Sequence, residues 1–170
     1  MRLKPTVWYL NAAHRTLLAA VPALARPDDA WASTYLSGRE FALFTRLPAH
    51  ERAHGVEVAR RLLRRRPQAA PELITAALLH DVGKLGTPQG AWWRVLTHLL
   101  PQAAAAPGAP RLRGLAGARQ ARAHHAAYGA ELLRGSGSFA RVISLVERHH
   151  SADADADPDL RLLQECDERT

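Results

Sequence analysis

One stretch of the chain, residues 71–84, decides the fold: it reads PELITAALLHDVGK. Pro71 opens a predicted helix, and the positions from Leu73 to Leu79 are almost all apolar. A helix that is apolar on every side lies inside a protein. His80 and Asp81 therefore follow a buried helix, where each must be hydrogen-bonded, ion-paired or bound to a metal.

The composition of the whole chain also favours helices. Leu and Ala dominate the 47% hydrophobic fraction, whereas aromatic residues make up only 6%. Strands draw on β-branched and aromatic side chains, so a β-sheet is disfavoured. A length of 170 residues allows one domain with a real core and hardly two. We predict an all-α fold, a compact single-domain bundle of six to eight helices.

Proline and glycine divide the chain into helical blocks. The sequence Pro27-Asp28-Asp29 predicts a turn and a helix cap, Asp157 is the predicted cap of the last helix, and Pro158 opens that helix. Residues 101–114 are rich in Pro, Gly and Ala and predict a loop. We expect residues 1–39 to form a helical extension packed on a core domain of residues 40–170. The predicted helices span residues 6–24, 30–36, 40–47, 48–66, 71 to 83 or 86, 115–133, 138–150 and 158 onward.

Charge and cysteine content restrict location and partners. The formal net charge is +7, carried almost entirely by Arg, since Lys occurs only at Lys4 and Lys84. Cys166 is the single cysteine, which excludes an internal disulfide and suits a reducing compartment. The longest apolar stretch, residues 92–100, is far too short to span a membrane, and no targeting segment is visible. We expect a cytoplasmic protein with no membrane partner.

Metal-ligating side chains fall on the apolar faces of several predicted helices. Each lies three or four positions from apolar residues of its own helix, so each faces inward. A single buried histidine is more often an ordinary core residue, but five coincidences indicate a metal site. The five inward-facing residues, one from each helix, are His54, His80, His125, His149 and Asp167.

These residue types point to transition-metal chemistry on phosphate. Imidazole and carboxylate ligands suit Mn, Fe, Ni, Co or Zn, with Mg less natural. Two such ions can hold the attacking and leaving oxygens of a phosphoryl transfer and activate water. Asp81 can bridge two ions because a carboxylate has two oxygens. Lys84, one turn further on, can offer a positive charge to a phosphate oxygen.

The ordered set His54, His80-Asp81 and Asp167 resembles the HD superfamily of metal-dependent phosphohydrolases. The segment ALLHDVGK, residues 77–84, is similar to the central signature of that family. The segment HAAYGAELL, residues 125–133, is similar to the HPxxGAxLL segment of a subfamily with extra histidines. His149-His150 matches the paired histidines of that subfamily. The resemblance extends over roughly residues 40–168.

The resemblance implies two neighbouring metal sites that share Asp81. The first would use His54, His80, Asp81 and Asp167, and the second would add His125, His149 and His150. Asp81 and Lys84 would be the catalytic residues, with Lys84 in contact with phosphate.

The chain departs from the family pattern at two places. Ala126 stands where proline often follows the third histidine. Ser151 and an Asp/Ala loop replace the Glu and Gly-Tyr-Pro signature of the cyclic-di-GMP phosphodiesterases. This departure argues against cyclic-di-GMP as substrate.

We therefore expect a phosphohydrolase that uses one or two divalent ions and metal-activated water. Its substrate would be a phosphomonoester or phosphodiester of a nucleotide or related small molecule. The alternative is a nucleic-acid-binding protein that uses its basic surface, or a regulatory HD protein, with a structural metal site and little turnover. The basic run at 60–66 predicts a solvated helix face or an electrostatic funnel for a polyanionic substrate. His124 remains a rival to His125 as ligand, and Asp153, Asp155 and Asp157 predict a solvated loop. The sequence leaves oligomerisation open.

Overall fold

The computed structural model describes residues 25–86 and 113–168 of the chain. This part is helical and contains no strand. Two single-turn 3-10 helices, Val82–Lys84 and Ala154–Ala156, accompany the α-helices. The α-helices are α1 (Asp29–Ser33), α2 (Gly38–Phe44), α3 (Ala49–Arg65), α4 (Pro71–Leu79), α5 (Gly114–Ser136), α6 (Ala140–Arg148) and α7 (Pro158–Asp167).

Helix α4 is the centre of the bundle. Every residue from Leu73 to Leu79 is buried, as the apolar sequence predicts. Helices α3 and α6 pack closely against it, and α2 and α7 also contact it. The all-α fold is therefore confirmed, and His80 and Asp81 lie at the inner end of the most buried helix.

Glycine allows the backbone of α5 to touch the turn that follows α4. A Cβ atom on Gly83 would lie 1.8 Å from the carbonyl oxygen of His125 and 2.5 Å from the nitrogen of Gly129. Gly55 makes a similar approach between α3 and α4, where a Cβ would lie 2.7 Å from the oxygen of Leu78. These contacts bring the backbones of three helices to the same end of α4.

The predicted helix caps are present. The Asp28 side chain accepts a hydrogen bond from the Trp31 amide at 3.0 Å and begins α1. Asp157 caps α7 through the Leu160 amide, with Pro158 in the first turn. Asp157 also accepts two hydrogen bonds from Arg141 of α6, at 2.7 and 2.8 Å. This pair ties α7 to α6 and fixes the helix that carries Asp167.

Several predicted helix boundaries are wrong by a few residues. Helix α5 begins at Gly114, inside the predicted loop 101–114, and continues through Gly135 to Ser136. It ends at Gly137, whose φ of 77° is left-handed, so the third residue of the Gly-Ser-Gly break ends the helix. Pro48 is the N-cap of α3 rather than a helical residue. Such ends depend on caps and contacts that hydrophobic periodicity does not encode.

Part of the sequence-based interpretation lies outside the described residues. This applies to the predicted helix 6–24, to residues 92–100 and to most of the predicted loop 101–114. Only residues 25–39 of the predicted extension are described, so the division at residue 40 stays a prediction. Among the described helices, none has the length and apolar character that crossing a membrane requires.

The close approach of α5 to Gly83 predicts that a side chain at this position destabilises the protein. Gly83→Ala must push α5 away from α4, and we expect it to lower the free energy of unfolding by about 3 kcal/mol or more. Gly135→Ala is the matched control, because nothing lies within 4 Å of its Cβ position. Since Gly135 is helical, its replacement should raise stability by about 0.5–1 kcal/mol. Urea denaturation of both variants measures this, and equal midpoints would contradict the interpretation.

The cap of α7 predicts a pH-dependent contribution to stability. Hydrogen bonds from Arg141 hold the pKa of Asp157 well below its ordinary value. A carboxyl with a lowered folded-state pKa stabilises the protein above its unfolded pKa and loses this effect as the pH falls. We expect Asp157→Ala to cost about 1–2 kcal/mol at neutral pH.

The difference between wild type and Asp157→Ala should shrink progressively below about pH 4. Asp155→Ala is the control: its side chain is 93% exposed and lies 3.8 Å from Arg161, so the change should have little effect. Denaturation curves at several pH values would reveal the trend. A difference that stays constant down to pH 3 would contradict it.

Candidate metal centre

Five helices deliver the predicted metal-ligating side chains to one end of α4. Apart from Asp167 and His150, these side chains are buried, and His80 is 1% exposed. They form two groups of potential ligands, and within each group one ligand atom per residue lies within 4.8 Å of the others. The groups are His54, His80 and Asp81 on one side and His125, His149 and His150 on the other.

The carboxylate of Asp167 lies beside the first group. Its Oδ1 lies 2.9 Å from His54 Nε2 and 3.5 Å from His80 Nε2. Asp81 Oδ2 lies 3.4 Å from the same nitrogen of His80 and 3.9 Å from that of His54. Helix α7 thus turns Asp167 inward, as its spacing from Leu160 and Leu163 predicts, and four side chains from three parts of the chain converge.

The second group consists of three imidazoles whose Nε2 atoms face one another. His125 Nε2 lies 3.2 Å from His149 Nε2 and 3.1 Å from His150 Nε2. His149 is the C-cap of α6 and His150 follows it, so both side chains leave the end of the helix. Adjacent residues inside a helix point about 100° apart, so two neighbouring histidines could not both face one cluster there. Because the helix ends at His149, both side chains can reach it.

Asp81 lies between the two groups. Its Oδ2 faces His54 and His80, while its Oδ1 lies 3.4 Å from His125 Nε2. Each oxygen of one carboxylate is therefore directed to a different histidine group. This is the arrangement that a carboxylate shared by two cations requires.

Backbone hydrogen bonds orient three of the histidines. The Nδ1 atoms of His80, His125 and His149 lie 2.9, 3.0 and 2.7 Å from carbonyl oxygens of their own helices. A carbonyl only accepts, so each Nδ1 carries the proton and donates it. The Nε2 atom is then the nitrogen that would coordinate a metal, and the hydrogen bond at Nδ1 fixes the ring in the way metal-binding histidines commonly show.

One buried atom shows that the donor set suits a cation. His80 Nε2 is buried, and although the carboxylate oxygens of Asp81 and Asp167 lie 3.4 and 3.5 Å away, it forms no well-aligned hydrogen bond within the described part of the chain. A buried polar atom without a partner is costly, and such atoms often mark metal sites. Imidazole and carboxylate donors together suit divalent transition metals such as Mn, Fe, Co, Ni and Zn. The residues present therefore fit a metal centre.

The carboxylates and His80 form a charged core in the first group. Burial by itself would lower the pKa of His80, but Asp81 and Asp167 outweigh it and raise the pKa to about 10. Burial opposes ionisation of Asp81, yet the charges of Lys84 and His80 hold its pKa well below the ordinary value. The charge of His80 likewise keeps the pKa of Asp167 low. A cation entering here would displace the proton of His80.

Burial favours the neutral form of the three histidines in the second group. Burial lowers the pKa of His125 to about 4 and lowers that of His149 well below its ordinary value. The pKa of His150 moves in the same direction through loss of hydration. Metal ions bind the neutral form of imidazole, so these three side chains need not release a proton from Nε2.

Lys84 borders this cluster together with a residue that sequence reasoning missed. The Nζ atom of Lys84 lies 2.5 Å from Asp81 Oδ2 and 3.2 Å from Glu51 Oε2. Glu51 is 4% exposed and lies in the first turn of α3. The sequence feature that could have revealed Glu51 is its position three residues before His54, because this spacing places both residues on one helix face.

Other histidines and acidic residues lie away from the cluster. His124 packs its ring against Tyr128, with centroids 6.2 Å apart, so His125 rather than His124 reaches the cluster. His50 is largely buried and lies 3.5 Å from Glu51. Asp153 contacts Arg148, and Asp155 is exposed. His14 and His98 lie outside the described residues.

Comparison with known proteins identifies the family. The sequence model of the HD domain matches residues 53–170, well over half of the chain. This span includes the six residues of the two groups and also Asp167. No curated protein and no solved structure shows a significant match. The chain belongs to the HD superfamily of metal-dependent phosphohydrolases.

Proposed function

We propose that this protein hydrolyses a phosphoester of a nucleotide or related small molecule, using two divalent cations at the end of α4. The observation that carries the proposal is the position of Asp81, with one oxygen toward each histidine group. The first cation would be held by His54, His80, Asp81 and Asp167. The second would be held by His125, His149 and His150, with Asp81 shared.

The chain's own residues divide the work of such a reaction. Bound divalent ions supply positive charge to phosphoryl oxygens and lower the pKa of coordinated water. Asp81 would hold the two cations at a fixed separation, because its backbone is locked between α4 and α5 at Gly83. The backbone hydrogen bonds at Nδ1 of His80, His125 and His149 would keep those rings in place.

In this proposal Lys84 would bind the phosphate. Its side chain is 21% exposed, whereas that of Asp81 is 7% exposed, so the ammonium lies on the solvent side of the carboxylate. His150 is also exposed. A phosphoryl group that approaches from this side meets Lys84 before the buried carboxylates, and its charge offsets their repulsion of an anionic substrate.

The alternative of a nucleic-acid-binding protein finds less support. The arginines of the run 60–66 contact carboxylates instead of forming an uncompensated positive face. Arg60 also lies over the ring of Trp31, 4.9 Å from its centroid. Binding to a polyanion would require these pairs to break, which reduces the electrostatic gain on which such binding depends. The acidic partners are Asp28, Glu57, Asp159 and Glu165.

A separable second cation is the first test of the proposal. We expect wild-type protein saturated with Mn to bind two ions per chain, and His125→Ala or His149→Ala to bind one without unfolding. The first group keeps all its ligands in these variants. His124→Ala is the control and should still bind two ions. Elemental analysis after gel filtration gives the number, and one ion in the saturated wild type would refute the dinuclear centre.

Replacing Lys84 tests whether the protein is an enzyme or only holds a structural metal. Lys84→Ala should leave metal content and melting temperature nearly unchanged while lowering phosphoester hydrolysis about tenfold or more. Lys84→Arg should restore activity only in part, because a planar guanidinium replaces a compact ammonium poorly. Turnover would be measured on phosphorylated metabolites with Mn present. Unchanged turnover in Lys84→Ala would remove Lys84 from the site.

A further inference from the structure

Glu40 and Glu51 are each the third residue of a helix, but their carboxylates contact different kinds of partner. Glu40 is the third residue of α2, and its carboxylate accepts a hydrogen bond from the Ser37 amide at 2.9 Å. That contact completes a capping box. Glu51 is the third residue of α3, but the residue before that helix is Pro48, which has no amide hydrogen to donate. The usual capping contact of a glutamate here is therefore closed to Glu51.

The carboxylate of Glu51 is directed to Lys84 instead. Glu51 Oε2 lies 3.2 Å from Lys84 Nζ, and the side chain of Glu51 is only 3% exposed. His50 Nε2 lies 3.5 Å from the other oxygen, Oε1. Burying a carboxylate costs several kcal/mol unless a charged partner compensates it. The start of a helix favours the negative charge but does not require this residue to be buried.

Within residues 25–86 and 113–168, Lys84 thereby contacts carboxylates from two different parts of the chain. Asp81 is three residues earlier, and Glu51 comes from α3. A lysine side chain has four rotatable bonds, and one ion pair restrains it weakly. Any cation that binds Asp81 would compete with Lys84 for Oδ2. Glu51 would then be the anion that keeps the ammonium beside the site.

We propose that Glu51 is a positioning residue, which holds the ammonium of Lys84 where a phosphoryl oxygen binds. The inference deepens the proposed function and rests on it for the role of phosphate. Glu51 itself touches neither substrate nor metal in this scheme and acts through Lys84. Its effect on phosphate binding must therefore disappear when Lys84 is absent.

A chemical test of the contact needs no substrate and is made on the Mn-loaded protein, in which the cation competes with Lys84 for Asp81. Lys84 and Lys4 are the only lysines, so acetylation followed peptide by peptide reads Lys84 directly against an internal reference. Glu51→Gln removes a carboxylate that restrains the Lys84 side chain, so Lys84 should reach the reagent more often and react about threefold or more faster relative to Lys4. Glu57→Gln is the matched control on the same helix: Glu57 pairs with Arg61 and Arg64, and its loss should leave Lys84 unchanged. Equal rates in wild type and Glu51→Gln would overturn the proposal.

A binding cycle tests the consequence for phosphate. Calorimetry would measure inorganic phosphate binding to the Mn-loaded wild type, Glu51→Gln, Lys84→Ala and the double variant. We expect Glu51→Gln to weaken binding about tenfold with metal content unchanged, and to have no further effect in the Lys84→Ala background. Glu51→Asp should recover part of the affinity, and it replaces Glu51→Gln in the cycle if the latter does not fold.

The outcomes distinguish this inference from the proposed function. If Lys84→Ala loses phosphate affinity while Glu51→Gln keeps it, the positioning role is wrong and the proposed function stands. If Glu51→Gln weakens binding equally with and without Lys84, Glu51 acts by another route and the inference fails. If Lys84→Ala binds phosphate as wild type does, the proposed role of Lys84 fails, and the positioning role fails with it.

Discussion

The buried carboxylate of Asp81 is the constraint on which the rest of the structure depends. It lies at the end of a helix that is buried on every side, where an isolated negative charge is unstable. Its charge is compensated by the neighbouring His80 and Lys84, and residues far apart in sequence, His54 in α3 and His125 in α5, also reach it. The helices must pack so that these side chains reach one carboxylate. The fold and the site therefore share one requirement.

Close backbone contact is the second condition for this convergence. Imidazole and carboxylate side chains are short, so helices that bring them together must approach closely. Gly83 permits α5 to lie against the turn after Asp81, and Gly55 does the same between α3 and α4. A side chain at Gly83 would separate Asp81 from His125. The glycine of the HDVGK segment is thus explained by the geometry that its neighbours need, rather than by flexibility of the turn.

Charge is balanced in the cluster by protons and by lysine as well as by any cation. The raised pKa of His80 and the ammonium of Lys84 both compensate the two aspartates. A divalent ion would replace the proton on His80 and weaken the hold of Asp81 on Lys84.

The sequence by itself determined the helical class, the buried stretch 73–79 and the inward faces carrying His54, His149 and Asp167, because hydrophobic periodicity records which side of a helix is buried. Cap residues such as Asp157 were also readable, since capping is a local interaction. Tertiary structure decided which oxygen of Asp81 faces which histidines, and that Glu51 contacts Lys84, 33 residues away. It also decided that α5 extends to Ser136. These features depend on distances between helices, which a one-dimensional pattern of polar and apolar residues does not contain.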